Sequence, residues 1–112
     1  MDKLSFNRSI VKQVISHRAD LMRGQPLPGE EILCIFDEAT ENYLLVRLGW
    51  VNRKRLYVIT VHARLIGDKV QVEENWTDDF VPDLLSAGLP REDLVPGFDE
   101  PSLRFPVDLA LA

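Results

Sequence analysis

The feature that most constrains the fold is the stretch from Asn42 to Ile66, where two alternating patterns flank a short basic break. It reads NYLLVRLGWVNRKRLYVITVHARLI. Apolar and polar residues that alternate with a period of two are typical of a strand with one buried face. The stretch therefore predicts a β-hairpin. Its bend, Val51 to Arg55, contains an asparagine that tolerates unusual backbone angles and three cations that stay in solvent.

The two arms of this hairpin each sort their side chains onto two faces. In the first arm one face carries Leu44, Val46, Leu48 and Trp50, and the other carries Tyr43, Leu45, Arg47 and Gly49. In the second arm an apolar face carries Tyr57, Ile59, Val61, Ala63 and Leu65, and the opposite face carries Val58, Thr60, His62 and Arg64. We expect the apolar face of the second arm to join the core.

The remaining patterns predict an α+β fold with an antiparallel sheet of about four strands. Apolar residues at helical spacing predict an N-terminal amphipathic helix from Leu4 to Met22 that stops at Gly24. The apolar run Glu31 to Asp37 predicts the first strand, and the alternation from Val70 to Glu73 predicts the last. Short polar turns join these strands to the hairpin, which favours a meander.

A second, shorter helix and an irregular C-terminal tail are predicted to follow the sheet. Thr77 to Asp79 offers a capping oxygen and early carboxylates for a helix start, and a glycine followed by a proline ends that helix. One more turn is expected from Arg91 to Leu94. From Val95 the chain is rich in proline and turn residues, and we expect Val107 to Leu111 to be extended and able to add an edge strand.

The composition is that of one soluble domain over residues 1–112. Its hydrophobic fraction of 46% and charged fraction of 28% are ordinary for a folded protein, and its longest apolar runs are too short for a membrane span. The N-terminus has no basic segment followed by an apolar block, so we expect a cytoplasmic protein. The single cysteine, Cys34, sits in ILCIF and is predicted to be a core residue in a reducing compartment.

The net charge of −5 opposes direct binding to nucleic acid. A local basic patch acts only within about one Debye length, roughly 8 to 10 Å, before the acidic remainder opposes it. Neither a glycine-rich phosphate loop nor a metal-ligand spacing occurs in the chain, so we predict no cofactor and no metal. A Cys34/His62 dyad on neighbouring strands is the one catalytic pairing to weigh, although burial of a thiol opposes the thiolate that a nucleophile needs.

The main surface cluster is basic and centres on the hairpin tip. The residues predicted to contact a partner are Arg47, Arg53, Lys54, Arg55, His62 and Arg64. We expect Arg47 and Arg64 to lie on the less apolar faces of the strands that flank the tip. The cluster fits a charged tip that resists aggregation, and it also fits a docking patch for an acidic partner or for DNA held by another protein. Trp50 and Trp76 are expected to anchor the core.

Three segments resemble the XisI family. They are LVRLGW at Leu45 to Trp50, RLYVITVHARLIGDKVQV at Arg55 to Val72, and LLSAGLPREDLVPGF at Leu84 to Phe98, ahead of an ALA end. The resemblance runs almost end to end, in order and without large gaps, and its specificity comes from that combined order. The chain departs from the family pattern at Trp76, where a small residue is expected, and at Asp99, where histidine is expected.

The resemblance implies a controlling factor for excision of the fdxN element, a DNA insertion removed by site-specific recombination in differentiating cyanobacterial cells. Such a factor is a non-enzymatic accessory protein that acts with a XisH-like protein partner and a separate recombinase, and that meets DNA only indirectly. The family supplies no catalytic residue to transfer. The alternatives left open are a direct DNA-binding regulator, a homo-oligomer, and a small enzyme that uses His62 with Cys34 or a carboxylate.

Overall fold

The computed structural model describes residues 2–97 of the protein. Within them lie α1 (Lys3–Arg23), β1 (Glu30–Asp37), β2 (Asn42–Val51), β3 (Lys54–Ile66), β4 (Lys69–Asn75), α2 (Phe80–Ser86), a 3-10 turn (Arg91–Asp93) and β5 (Leu94–Pro96). The strands form one sheet in the order β1-β2-β3-β4-β5, antiparallel except for the parallel pair β4 and β5. The predicted α+β class, with its N-terminal helix and central hairpin, is confirmed.

Helix α1 forms because its sequence supplies a cap and an apolar stripe. The Asp2 carboxylate accepts a hydrogen bond from the Ser5 backbone N–H at 2.7 Å, which satisfies a free amide of the first turn. The helix ends at Gly24, as predicted. The stripe packs against one face of the sheet and contributes the buried residues Ile10, Val11, Val14, Ile15 and Ala19.

The hairpin β2–β3 forms the centre of the sheet. Its turn consists of Asn52 and Arg53, whose φ angles are 52° and 66°. Positive φ at both central residues is what a two-residue type I′ turn requires, and asparagine accepts that conformation readily. Val51 and Lys54 close the turn as a strand pair, so the bend is tighter than the five residues predicted for it.

A β-bulge in β3 divides the apolar face that the sequence predicted for this arm. Leu45 pairs with Val61 and Val46 pairs with Ile59, so Thr60 is an extra residue opposite β2. The predicted common face separates into three buried residues toward α1, Val61, Ala63 and Leu65, and two that point away, Tyr57 and Ile59. The prediction is wrong because the extra residue shifts the period-two pattern by one position. Odd-numbered residues before the bulge therefore point to the opposite face from odd-numbered residues after it.

Helix α2 and strand β5 complete the described fold. The hydroxyl Oγ1 of Thr77 accepts a hydrogen bond from the Phe80 backbone N–H at 3.0 Å, in agreement with the predicted helix start. Val95 belongs to β5, so the described sheet has one strand more than the four predicted. The three residues of β5 include a proline and are too few to show a period in the sequence. The predicted strand from Val107 to Leu111 lies outside the described residues.

A buried polar cluster joins the start of α1 to β4 and to the 3-10 turn. The Asp93 carboxylate is fully buried and accepts hydrogen bonds from Lys3 Nζ at 2.8 Å, Lys69 Nζ at 3.0 Å and Asn7 Nδ2 at 3.1 Å. The bond from Lys3, followed by those from Asn7 and Lys69, lowers the pKa of Asp93 to about 2. The cluster fixes α1 over one face of the sheet. No described helix covers the other face.

Candidate partner interface

The face of the sheet that points away from α1 is uncovered by the described part of the chain. We call this side of β1 to β4 the open face. Large apolar side chains are exposed on it, namely Ile35 (47%), Trp50 (62%), Tyr57 (66%) and Trp76 (72%). Tyr57 and Trp76 line one groove, and exposed apolar surface that gathers in this way on a folded protein marks an interaction surface. The open face is therefore the first candidate for a functional site.

The positions of Trp50 and Trp76 correct the expectation that they anchor the core. Trp50 pairs with Arg55, whose guanidinium lies 5.9 Å from the indole ring. Trp76 directs its Nε1 to the Glu74 carboxylate at 2.6 Å. Both rings stand at strand ends on the side where residues 2–97 provide no second layer. The signal that could have located them is their sequence position near the ends of strands, next to turns.

The hairpin tip combines positive charge with aromatic rings. Arg53, Lys54 and Arg55 are all exposed. The guanidinium of Arg55 lies 6.0 Å from the Tyr57 ring and donates a hydrogen bond to the Gly49 carbonyl at 3.3 Å. Among residues 2–97, neither Arg53 nor Lys54 takes part in an ion pair. Two of the three tip cations are thus available to an anionic group of a partner.

His62 and Arg64 lie on the open face, further along β3 from the tip. The Nε2 atom of His62 and the Oδ1 atom of Asn42 are 2.8 Å apart. Burial lowers the pKa of the His62 imidazole below its usual value, so the ring is neutral at pH 7. The guanidinium of Arg64 pairs with the Glu73 carboxylate at 3.3 Å. These two side chains are held in place by neighbours within the sheet.

Arg47 lies on the face that α1 covers and is separated from the other predicted contact residues. Its Nε donates to the largely buried Glu30 carboxylate at 2.6 Å. Together with Arg18 it lines a cavity of about 340 Å³ beside the end of α1. Arg47 and Arg64 lie on opposite faces of the sheet. The register pairs Arg64 with Asn42, which is an odd number of residues from Arg47 and so points to the opposite side.

A groove of about 460 Å³ opens where β4 ends beside β3. Its walls are the rings of Tyr57 and Trp76, and its other lining residues are Val58, Ile59, His62, Glu73 and Glu74. The carboxylate of Glu73 accepts hydrogen bonds from Arg64 and Gln71, and that of Glu74 accepts one from Trp76. The groove thus offers aromatic and aliphatic surface, while its polar groups are already bonded to neighbouring side chains.

The structure places Cys34 and His62 on opposite faces of the sheet. Cys34 pairs with Leu45 and packs against the core beneath α1. His62 pairs with Leu44, whose side chain points the other way. Burial also raises the pKa of the Cys34 thiol. The dyad that the sequence suggested is therefore contradicted, because the sheet lies between the two side chains.

Metal-binding and membrane-spanning features are also missing from the described ranges. Three or more His, Cys, Asp or Glu side chains grouped around one point would mark a metal site, and residues 2–97 contain no such group. No helix in the same range is long and apolar enough to cross a bilayer.

Comparison with known proteins decides the family. The sequence model for the XisI protein family matches residues 1–111. The chain belongs to the XisI family. A similar solved structure is the fdxN element excision controlling factor XisI from Anabaena variabilis ATCC 29413, with 32% identity and a TM-score of 0.76. That match covers 92% of this chain and 99% of the other.

A second XisI relative extends the comparison. A XisI-like protein from the same organism is 26% identical, with a TM-score of 0.80 over 89% of this chain and 91% of the other. No curated protein sequence matches the chain. The XisI family assignment confirms the resemblance drawn from the sequence, and the fold agrees with both relatives. The name of the first relative connects that protein with excision of the fdxN element.

Proposed function

We propose that this XisI-family protein is a non-enzymatic accessory factor that controls site-specific excision of a DNA element through contact with another protein. The observation that carries the proposal is the exposure of Trp50 and Tyr57 beside the basic hairpin tip and of Trp76 further along β3. Aromatic and arginine side chains are enriched at protein interfaces and supply much of their binding free energy. The identity of 32% to a protein named for excision of the fdxN element supports the process.

The proposed partner is a XisH-like protein, and a separate recombinase carries out the strand exchange in the cytoplasm of cyanobacterial cells. Arg53, Lys54 and Arg55 form the charged part of the contact and attract an acidic surface of the partner. His62 and Arg64 extend the contact along the open face. Arg47, on the other side of the sheet, joins it only where the partner reaches around an edge.

The groove at His62 meets one requirement of a small enzyme, because it is concave and contains an imidazole. The other requirements find no support among the described residues. His62 is bonded to Asn42, the groove carboxylates are bonded to neighbouring side chains, and Cys34 lies across the sheet. A site for chemistry needs a nucleophile or base that is free to meet a substrate. This arrangement supports binding over catalysis.

Direct binding to DNA is the second candidate, and the exposed cations of the tip favour it. The net charge of −5 opposes it, because most of the surface repels phosphate. We therefore propose that the protein meets DNA through its partner. A gel shift with duplex DNA tests the alternative: binding at low salt that falls steeply as salt is added would support direct contact.

A binding assay with charge-reversed variants tests the proposed interface. The triple variant R53E/K54E/R55E is compared with the wild type for binding to a purified XisH-like protein. We expect a loss of about tenfold or more, because each exposed charge pair contributes about 0.2 to 1 kcal/mol and reversal adds repulsion. R53E alone is compared with R91E, a reversal at an exposed cation of the 3-10 turn, which should leave binding unchanged.

The same variants are then placed in a reporter of element excision. Loss of excision by the tip variants, with unchanged unfolding curves, is the expected result. Wild-type binding by the triple variant would remove the tip from the interface. Excision that proceeds normally without partner binding would overturn the accessory role itself.

A further inference from the structure

Strand β3 is longer than the strand beside it. It runs for 13 residues, Lys54–Ile66, whereas β4 pairs with it only from Val61 onward. The last hydrogen bond between the two chains joins the Trp76 backbone N–H to the Thr60 carbonyl at 2.9 Å. The chain then turns away into α2. Residues 54–59 therefore have β2 on one side and no described strand on the other.

The backbone groups on this free edge alternate in a way that the hairpin turn fixes. A two-residue turn closes on a hydrogen-bonded pair, here Val51 and Lys54. Alternation from that pair directs the N–H and C=O groups of Arg55, Tyr57 and Ile59 away from β2. These groups form a row on the outer edge of β3, spaced as a neighbouring strand requires.

The side chains along the free edge differ from those of a protected one. Natural proteins protect sheet edges with charges, prolines, bulges or covering segments. Here the cations Lys54 and Arg55 stand at one end of the edge and the bulge at Thr60 adjoins the other, while Tyr57, Ile59 and Trp76 surround the middle and line the groove of about 460 Å³. An incoming strand would meet backbone partners along the edge and an apolar recess for its side chains.

We propose that the free edge of β3 receives an extended peptide segment of the protein partner, which adds a strand to the sheet. The inference rests on the proposed partner-binding role and names its mode. The added strand takes the position beside β3 that β4 vacates after Asn75. It runs in the same direction as β4 and is therefore antiparallel to β3. Main-chain hydrogen bonds provide affinity in this mode, and pockets for alternate side chains provide specificity.

Charge defines the chemistry of the segment. An antiparallel strand on residues 54–59 ends beside Arg53, Lys54 and Arg55, so its C-terminal end is acidic. In the part of the segment N-terminal to this acidic end, apolar residues at every second position lie next to Ile59 and Tyr57 on the open face. About six paired residues, roughly 20 Å of strand, fit the available edge.

A matched set of peptides tests the proposal. The probe is the fluorescently labelled peptide TVTVTEDE, which sets its valines next to Ile59 and Tyr57 and its acidic residues next to Arg55 and Lys54. We expect saturable binding to the full-length protein, measured by fluorescence polarisation. The peptide TVTVTKRK, with the end charge reversed, should bind at least tenfold more weakly.

N-methylation separates strand addition from simple adhesion. Methyl groups on the amides of both valines and the first glutamate remove the donors that face β3, and each lost hydrogen bond costs about 0.5 to 1.5 kcal/mol. Binding should fall at least tenfold. Methyl groups on the threonine amides, which face outward, should change it little. Equal binding by the two methylated peptides would overturn the proposal.

Hydrogen exchange determines whether the edge is free in the protein alone. The backbone amides of Arg55, Tyr57 and Ile59 should exchange rapidly without the peptide and slowly with it. Slow exchange without the peptide would show that another segment of the chain or a second copy already covers the edge, and the proposal would fail. Sedimentation would then distinguish a segment of the same chain from a second copy. If the peptide fails while a XisH-like protein still binds through the tip, strand addition is wrong and the proposed function stands.

Discussion

The two faces of the sheet are formed by alternate residues of the same strands, and the two sets differ in how far they are buried. Under α1, Tyr43, Leu45 and Val61 are fully buried, and the layer above them is complete. On the open face, Trp50 and Tyr57 are each exposed over more than half their surface. The difference shows that one face carries the buried core, whereas the other has large apolar side chains that the described part of the chain leaves exposed.

The polar groups of the covered face and of the hairpin tip also differ. On the α1 side, Asp93 is surrounded by three donors that fix the helix to the sheet. At the tip, Arg53 and Lys54 end in solvent, and no described carboxylate pairs with them. The charge of Asp93 is thus satisfied within the molecule, whereas these two tip cations have no carboxylate partner among residues 2–97.

The largest effect on stability is expected from one of two adjacent leucines of β2, which lie on opposite faces of the sheet. Leu45 is fully buried under α1, whereas Leu44 lies half-buried on the open face. We expect L45A to lower the free energy of unfolding by about 3 kcal/mol, because it removes buried methyl groups and leaves a cavity. L44A should cost about 1 kcal/mol or less. Urea unfolding measures both, and equal losses would show that the open face is covered as well.

A smaller effect is expected at Asp93 and depends on pH. Its pKa is about 2 in the folded protein, against a usual value of 3.8. Stabilisation by this carboxylate is therefore complete above about pH 4 and is lost as the pH falls toward 2. D93N should lower the urea midpoint at pH 7 and flatten its fall between pH 4 and pH 2. Parallel pH profiles for D93N and the wild type would contradict the role of the cluster.

His62 offers a weaker pH test on the open face. Burial lowers the pKa of its imidazole in the folded state, so the unfolded chain binds the proton more readily. Stability should therefore decrease as the pH falls below about 6.5. H62Q keeps an amide for Asn42 and should remove part of that decrease in urea midpoints measured from pH 7.5 to pH 5.5. H17Q is the matched control for the loss of one imidazole.

The smallest effect on stability is expected from the exposed rings. Y57S and W76S should change the free energy of unfolding by no more than about 0.5 kcal/mol, because solvent already covers most of each ring. Binding to a XisH-like protein should nevertheless fall about tenfold or more for each variant. A large loss of stability would mean that the rings belong to the core after all, and the contrast between the faces would break.

Much of the fold could be predicted because its signals are local. The apolar stripe and the final glycine of α1 lie within one segment, and the alternation in β2 and β4 needs no distant partner. The family could likewise be inferred from the order of three segments. The α+β architecture and the family therefore followed from patterns that neighbouring residues carry by themselves.

The candidate site was less predictable because it depends on pairing between segments. The bulge at Thr60 exists only in the register between β2 and β3, so the position of Tyr57 could not be inferred from one strand. The ion pair of Arg47 with Glu30 joins residues 17 positions apart, and the alternation of β2 places Arg47 on the α1 side with Tyr43 and Leu45. The exposure of Trp50 and Trp76 depends on how the described elements are layered, which composition does not reveal.

The bulge at Thr60 also bears on how relatives of this protein should be compared. A relative that paired the residue at position 60 directly with β2, without a bulge, would keep every strand and yet present the residues at positions 61 and 63, in place of those at 62 and 64, on the open face. Two homologues of similar fold would then differ in what they recognise. The presence of this bulge is thus a criterion for dividing the family into groups with different binding properties.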